Sequence, residues 1–125
     1  MRITMKQAVA LYNIYPIIKK ASFPLIIAYR FSKGFDVISK EMEFYREHFN
    51  KILERYGEKD DQGQFVTQDD FIKIKLGCES SFQQELNELD NIQFDLDNFN
   101  FKLSDLEGIN LTLEQMNSLL PFITE

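Results

Sequence analysis

The chain has 125 residues, a formal charge of −6 at pH 7 and 44% hydrophobic residues. That length allows one domain with a core large enough to fold without covalent staples, and the apolar content excludes wholesale disorder. The acidic balance excludes a broad phosphate-binding surface, so no nucleic-acid partner is expected.

The first helix is predicted over 4–20. Thr4 and Gln7 have capping-box spacing. Ala8, Leu11, Tyr12 and Tyr15 form an apolar stripe, and Pro16 should kink or break the helix because it lacks an N–H.

The second helix is predicted over 23–56, with Ser22 as cap and Pro24 in the first turn. Phe31, Phe35, Ile38, Met42, Tyr45, Phe49, Ile52 and Tyr56 recur in steps of four and three, the rhythm of one helix face. Leu53 widens this stripe beyond a two-position seam, and the aromatic seam is unlike that of a parallel dimeric coiled coil. Cover is therefore expected from the same chain. Gly34 implies a close contact or a mild bend, with a true break before Phe35 as the alternative, and Gly57 is expected to cap the helix in the left-handed conformation.

Residues 58–64 read as a loop. Glu58, Asp60, Gln62, Gly63 and Asp69 echo a calcium loop, but the closing bidentate glutamate is missing and an exposed turn is the expectation. A third helix is predicted over 68–90, capped by Thr67 and burying Phe71, Ile74, Cys78, Phe82, Leu86 and Leu89, with Gly77 weakening its middle. The period then changes to two, so a β element is predicted over 92–103. The phase slips at Asp97-Asn98, which suggests a hairpin or a bulge there. Ser104 and Glu107 suggest a capped turn ending at Gly108. Thr112 and Gln115 open a short helix over 113–120, stopped by Pro121.

The fold class expected is α-rich α+β, a single domain over 1–125: long antiparallel helices with a small C-terminal β-hairpin and a short final helix. No motif for phosphate binding, nucleophilic catalysis or a metal quartet is present, so no enzyme, no cofactor and no metal is expected. His48 has no second histidine with which to share a metal, and the single cysteine, Cys78, excludes an intrachain disulfide. No leader peptide is expected at the N terminus, and the most apolar window, Phe23 to Phe31, is too short to cross a bilayer, so no membrane partner is expected. Asp95 and Asp97 should share a strand face, and Phe99 and Phe101 should lie on a free strand edge open to strand addition. These four are the candidate residues for binding a protein partner.

Several stretches carry a resemblance. They are Pro24 followed by Ala28-Tyr29 and Lys33, the helix end Glu54-Arg55-Tyr56-Gly57-Glu58-Lys59-Asp60, then Glu85-Leu86-Asn87-Glu88-Leu89 and Leu111-Thr112. In these the chain resembles a family of small uncharacterised proteins of tailed phages and prophages of Gram-positive bacteria, lacking one hydrophobic-plus-acidic repeat of that family after Gly63. The resemblance implies a phage origin. It implies no activity and no functional residues. The expected role is a non-enzymatic factor that binds a host or phage protein in the host cytoplasm, for example to inhibit or sequester a host or defence protein. The alternative is a minor virion or tail-assembly component, and self-association stays open.

Overall fold

The structure is a computed structural model in which residues 1–124 are described. In chain order it contains β1 (Arg2–Thr4), α1 (Met5–Lys20), α2 (Leu25–Tyr56), β2 (Thr67–Gln68), β3 (Phe71–Ile72), α3 (Glu79–Asp90) and β4 (Gln93–Asp95). A 3-10 turn over Leu103–Leu106, the helix α4 (Leu113–Leu119) and a 3-10 turn over Leu120–Phe122 follow. This is an α-rich α+β fold. The sequence reading takes 1–125 as one domain, whereas contacts group the chain into two compact units, one formed by Met1–Met42 with Gln93 onward and the other by Glu43–Ile92. Helix α2 contributes its first part to one and its last part to the other.

In the first unit, β1 leads straight into α1. The Thr4 hydroxyl accepts from Gln7 N–H at 3.1 Å while Gln7 Oε1 accepts from Thr4 N–H at 2.9 Å, so the capping box is closed in both directions. Pro16 does not break α1, which is continuous to Lys20. Helix α2 begins at Leu25, and Pro24 C=O, not the Ser22 side chain, receives its first bond, from Ala28 N–H at 3.0 Å. It runs unbroken through Gly34 for 32 residues, about 48 Å at 1.5 Å per residue.

The first part of the α2 stripe is core: Phe31, Phe35, Ile38 and Met42 are buried, joined by Ile27. Its cover includes a ring cluster. Phe101 stacks on Phe31 at 4.1 Å, Tyr15 stacks on Phe35 at 4.4 Å, and Phe99 stands edge-on to Phe31, Phe35, Phe101 and Phe122. Edge-to-face contacts of this kind suit the ring quadrupole and add to the burial itself.

The expected hairpin over 92–103 does not form. Only Gln93–Asp95 is strand, and it pairs antiparallel with β1 in the register Arg2↔Asp95, Ile3↔Phe94, Thr4↔Gln93. Asn98 turns the chain in the left-handed region at φ 57, and Phe99 and Phe101 then drop into the core at 1% exposure. They are therefore not a free edge. Phe101 is stitched in place by its N–H to Phe122 C=O and by Thr124 N–H to its own C=O, both at 2.8 Å. The Ser104–Glu107 cap is replaced by Asp105, whose Oδ2 accepts from Lys102 N–H at 2.9 Å, whereas Thr112 and Gln115 form the expected box. Pro121 does end α4, but the chain continues into a 3-10 turn that buries Phe122.

In the second unit the predicted third helix is shortened to Glu79–Asp90. Residues 57–74 form short extended segments joined by turns at 61–63 and 69–70. Asp69 and Asp70 both adopt positive φ, at 53 and 67, which closes a tight hairpin between β2 and β3. Aspartate is among the few residues that visit this region readily. Three main-chain bonds of 2.8 Å form a closed ring: Glu58 N–H to Lys73 C=O, Lys73 N–H to Val66 C=O, and Val66 N–H to Glu58 C=O. Each segment thus serves both others. Gly57 has no left-handed φ. It is buried, and a Cβ there would lie 2.7 Å from the Phe65 ring. Cys78 is not on a buried helix face but at the N-terminal boundary of α3, partly exposed. Of the α2 stripe in this unit only Ile52 is buried, while Tyr45, Phe49 and Tyr56 are half-buried.

Gly34 leaves no room for a side chain, since a Cβ on it would overlap the edge of the Phe99 ring. Gly34→Ala should therefore destabilise the protein by about 1–3 kcal/mol, outweighing the roughly 1 kcal/mol that alanine gains in helix propensity. Urea denaturation followed by circular dichroism checks this, and an unchanged or raised midpoint contradicts it.

Candidate protein-interaction surface

An open cleft of about 580 Å³ lies in the first unit between α2 and the segment Asp95–Asn98. Helix α2 supplies Ile26, Tyr29, Lys33 and Val37, spaced three, four and four residues apart and hence on one side of the helix. This stripe is distinct from the buried one. Ile26 is 59% exposed and Tyr29 56% exposed, so the cleft has an apolar wall facing water. Its floor includes Gly34, directly over the buried Phe99 ring.

The opposite wall carries the acids. Asp95 and Asp97 are both exposed, and both line this cleft. Asp95 Oδ1 is 3.9 Å from Arg2 Nε with both side chains largely solvated, a pair worth little. Among the described residues Asp97 makes no ion pair. Two cations and a third acid line the cleft as well: Arg30, whose Nη1 donates to Asn100 C=O at 3.3 Å, Lys33, whose Nζ lies 5.7 Å from the centre of the Tyr29 ring, and Asp36.

The four residues marked by the sequence are thus divided. Asp95 and Asp97 are on the cleft, while Phe99 and Phe101 are core side chains that support it from below. Sequence reasoning passed over Ile26, Tyr29 and Val37. Their signal was a second apolar stripe on α2, out of phase with the longer one.

The second unit holds a polar cluster of another kind. Arg55 Nη1 donates to Glu85 Oε1 across α2 and α3, and Tyr56 acts on the same carboxylate. Interaction with the Tyr56 hydroxyl, aided by Arg55, holds the Glu85 pKa below its ordinary value against the opposing effect of desolvation. Glu85 Oε2 is enclosed and lacks a hydrogen bond of good geometry. About three turns earlier on α2, the Tyr45 hydroxyl donates to Asp90 Oδ1 at 2.8 Å. Burial, then this bond to Asp90, raises the Tyr45 pKa well above the ordinary 10. Beside these, Phe44 packs against His48 with ring centres 4.0 Å apart.

The acidic loop is a hairpin turn in which Asp60 Oδ1 accepts from Gln62 N–H at 2.9 Å and Gln64 N–H at 3.0 Å. Among the described residues no group of three or more His, Cys, Asp or Glu side chains is placed to hold a metal ion. No helix among them is long and apolar enough to cross a membrane. Comparison with protein families, with curated proteins and with solved structures returns no match.

Two outcomes follow from the second unit. Because the Tyr45 phenol is harder to ionise when folded, its contribution is complete below pH 10 and is lost as pH rises further; Tyr45→Phe should flatten that alkaline loss and cost about 1 kcal/mol at neutral pH. Glu85 behaves oppositely. Its lowered pKa stabilises the fold above 4.5 and the effect disappears as pH falls through the folded value, so Glu85→Gln should weaken the acid dependence. Chemical denaturation across pH 3 to 11 measures both.

Proposed function

We propose that this chain is a non-enzymatic, phage-encoded factor that binds another protein through the cleft between α2 and Asp95–Asn98. The observation that carries this reading is the exposure of Ile26 and Tyr29 in a concave surface also lined by Asp95 and Asp97. An apolar centre with a charged rim is the anatomy of a protein interface, and adjacent exposed apolar side chains in a concave site need a reason. The phage origin rests on the sequence resemblance. A factor of this kind acts in the host cytoplasm by occupying a surface of a host or defence protein. It needs no cofactor for that.

The test is affinity capture from lysate of a Gram-positive phage host, with the wild type compared against a Tyr29→Ala, Asp97→Lys double variant. Both side chains are exposed, so the variant should keep its melting temperature. The expected result is a host protein retained by the wild type at stoichiometric yield and reduced about tenfold or more by the variant, which corresponds to roughly 1.4 kcal/mol of binding. Equal retention by the variant removes the cleft from the account. Recovery of the chain from purified particles at fixed copy number, with no host protein captured, makes it a virion component instead.

A further inference from the structure

The pairing of β1 with β4 determines which main-chain groups are left over. Leu96 N–H donates to Met1 C=O at 2.7 Å, and these residues lie opposite one another in the register that sets Arg2 against Asp95. Opposed residues in an antiparallel ladder alternate between bonded and non-bonded pairs. Since Met1–Leu96 is bonded, Arg2–Asp95 is not. The N–H and C=O of Asp95 therefore point away from β1. The sheet has only two strands, and among the described residues no hydrogen bond is made by the Asp95 main chain. A free strand edge thus exists, and it is at β4, where the chain also walls the cleft.

The geometry points to strand addition at this edge: an extended segment of the partner protein pairs with the main chain of Asp95. That segment sets a Lys or Arg against Asp95 and Asp97 and lays an apolar side chain on Ile26 and Tyr29. This deepens the proposed function and rests on it. Strand addition draws affinity from main-chain bonds and selectivity from alternate side chains, one set entering the pocket beside the edge. Charge selects the occupant. The cleft lining carries three acids, Asp36, Asp95 and Asp97, against two cations, Arg30 and Lys33; Asp97 has no ion pair among the described residues and Asp95 has only a solvated one. A second copy of a chain with charge −6 would bring its own acids to the same edge, and acidic side chains on an edge oppose self-pairing. A basic segment of a different protein meets no such opposition.

The probe is an acetylated, amidated peptide of about seven residues in which valine alternates with lysine, added to the full chain and followed by amide hydrogen exchange in NMR. Exchange of the Asp95 amide should slow by about tenfold or more at saturating peptide. The protection should vanish with a peptide N-methylated at alternate residues and with one carrying glutamate for lysine, and it should weaken in Asp97→Lys. An unprotected Asp95 amide at millimolar peptide overturns the inference, as does protection that survives N-methylation. Protection that grows with protein concentration alone assigns the edge to a second copy, which also overturns it. Capture of a host protein that depends on Tyr29 and Asp97 while the Asp95 amide stays unprotected leaves the binding role standing and removes only strand addition.

Discussion

One aromatic ring seated on bare helix backbone governs the first unit. Phe99 reaches the α2 main chain because position 34 is glycine, and from there it touches Phe31, Phe35, Phe101 and Phe122 at once. A side chain at 34 would lift the ring away and loosen all four contacts together. The energetics of a close-packed core make this a shared constraint, because a gap of even a fraction of an ångström forfeits much of the dispersion at every neighbour. The same seat sets the path of the chain. Asn98 must reverse direction in the left-handed region so that Phe99 enters, and this leaves Asp95 and Asp97 on the outside wall of the cleft.

The second unit solves a different problem. Its short extended segments leave their large side chains, Phe65, Phe71, Ile72 and Ile74, half-buried or exposed, so main-chain bonding must do more. The closed ring through Glu58, Lys73 and Val66 leaves these segments mutually paired, which contrasts with the open edge at β4. Helix α3 then returns along the last part of α2, with Arg55 on Glu85 and Tyr45 on Asp90. Titration of Tyr45 and Glu85 in opposite senses follows from their chemistry. A half-buried phenol bonded to a carboxylate resists charging, whereas a carboxylate with donors nearby resists protonation.

Much of the helical part was legible. Local signals sufficed for the cap at Thr4, the box at Thr112 and Gln115, and the full length of α2, since each depends on groups within a turn of one another. The segment 67–78 was misread for a reason that can be named. Phe71, Ile74 and Cys78 match a helical spacing, but Ile72 and Ile74 alternating with Lys73 and Lys75 match a strand equally well, and only the two left-handed aspartates decide between them. At the candidate surface, Asp95 and Asp97 were legible as solvated acids but not as one strand face, because β4 ends at Asp95 and Asp97 lies in the turn that follows. Phe99 and Phe101 were not legible as core, because alternation in a run of phenylalanines fits an outer edge and a buried crossing alike.

By itself, then, the sequence determined what short-range chemistry controls: the helix starts at Thr4 and Thr112, the period of the α2 ridge, the α-rich character and the acidic surface. Tertiary structure alone decided which strand meets which. Strand β4 pairs with β1, some ninety residues earlier, and not with its own neighbour, because Phe99 has a deeper seat on Gly34 than a hairpin would offer it. Pairing between distant segments depends on the free energy of the whole packed unit, and no local spacing encodes that sum.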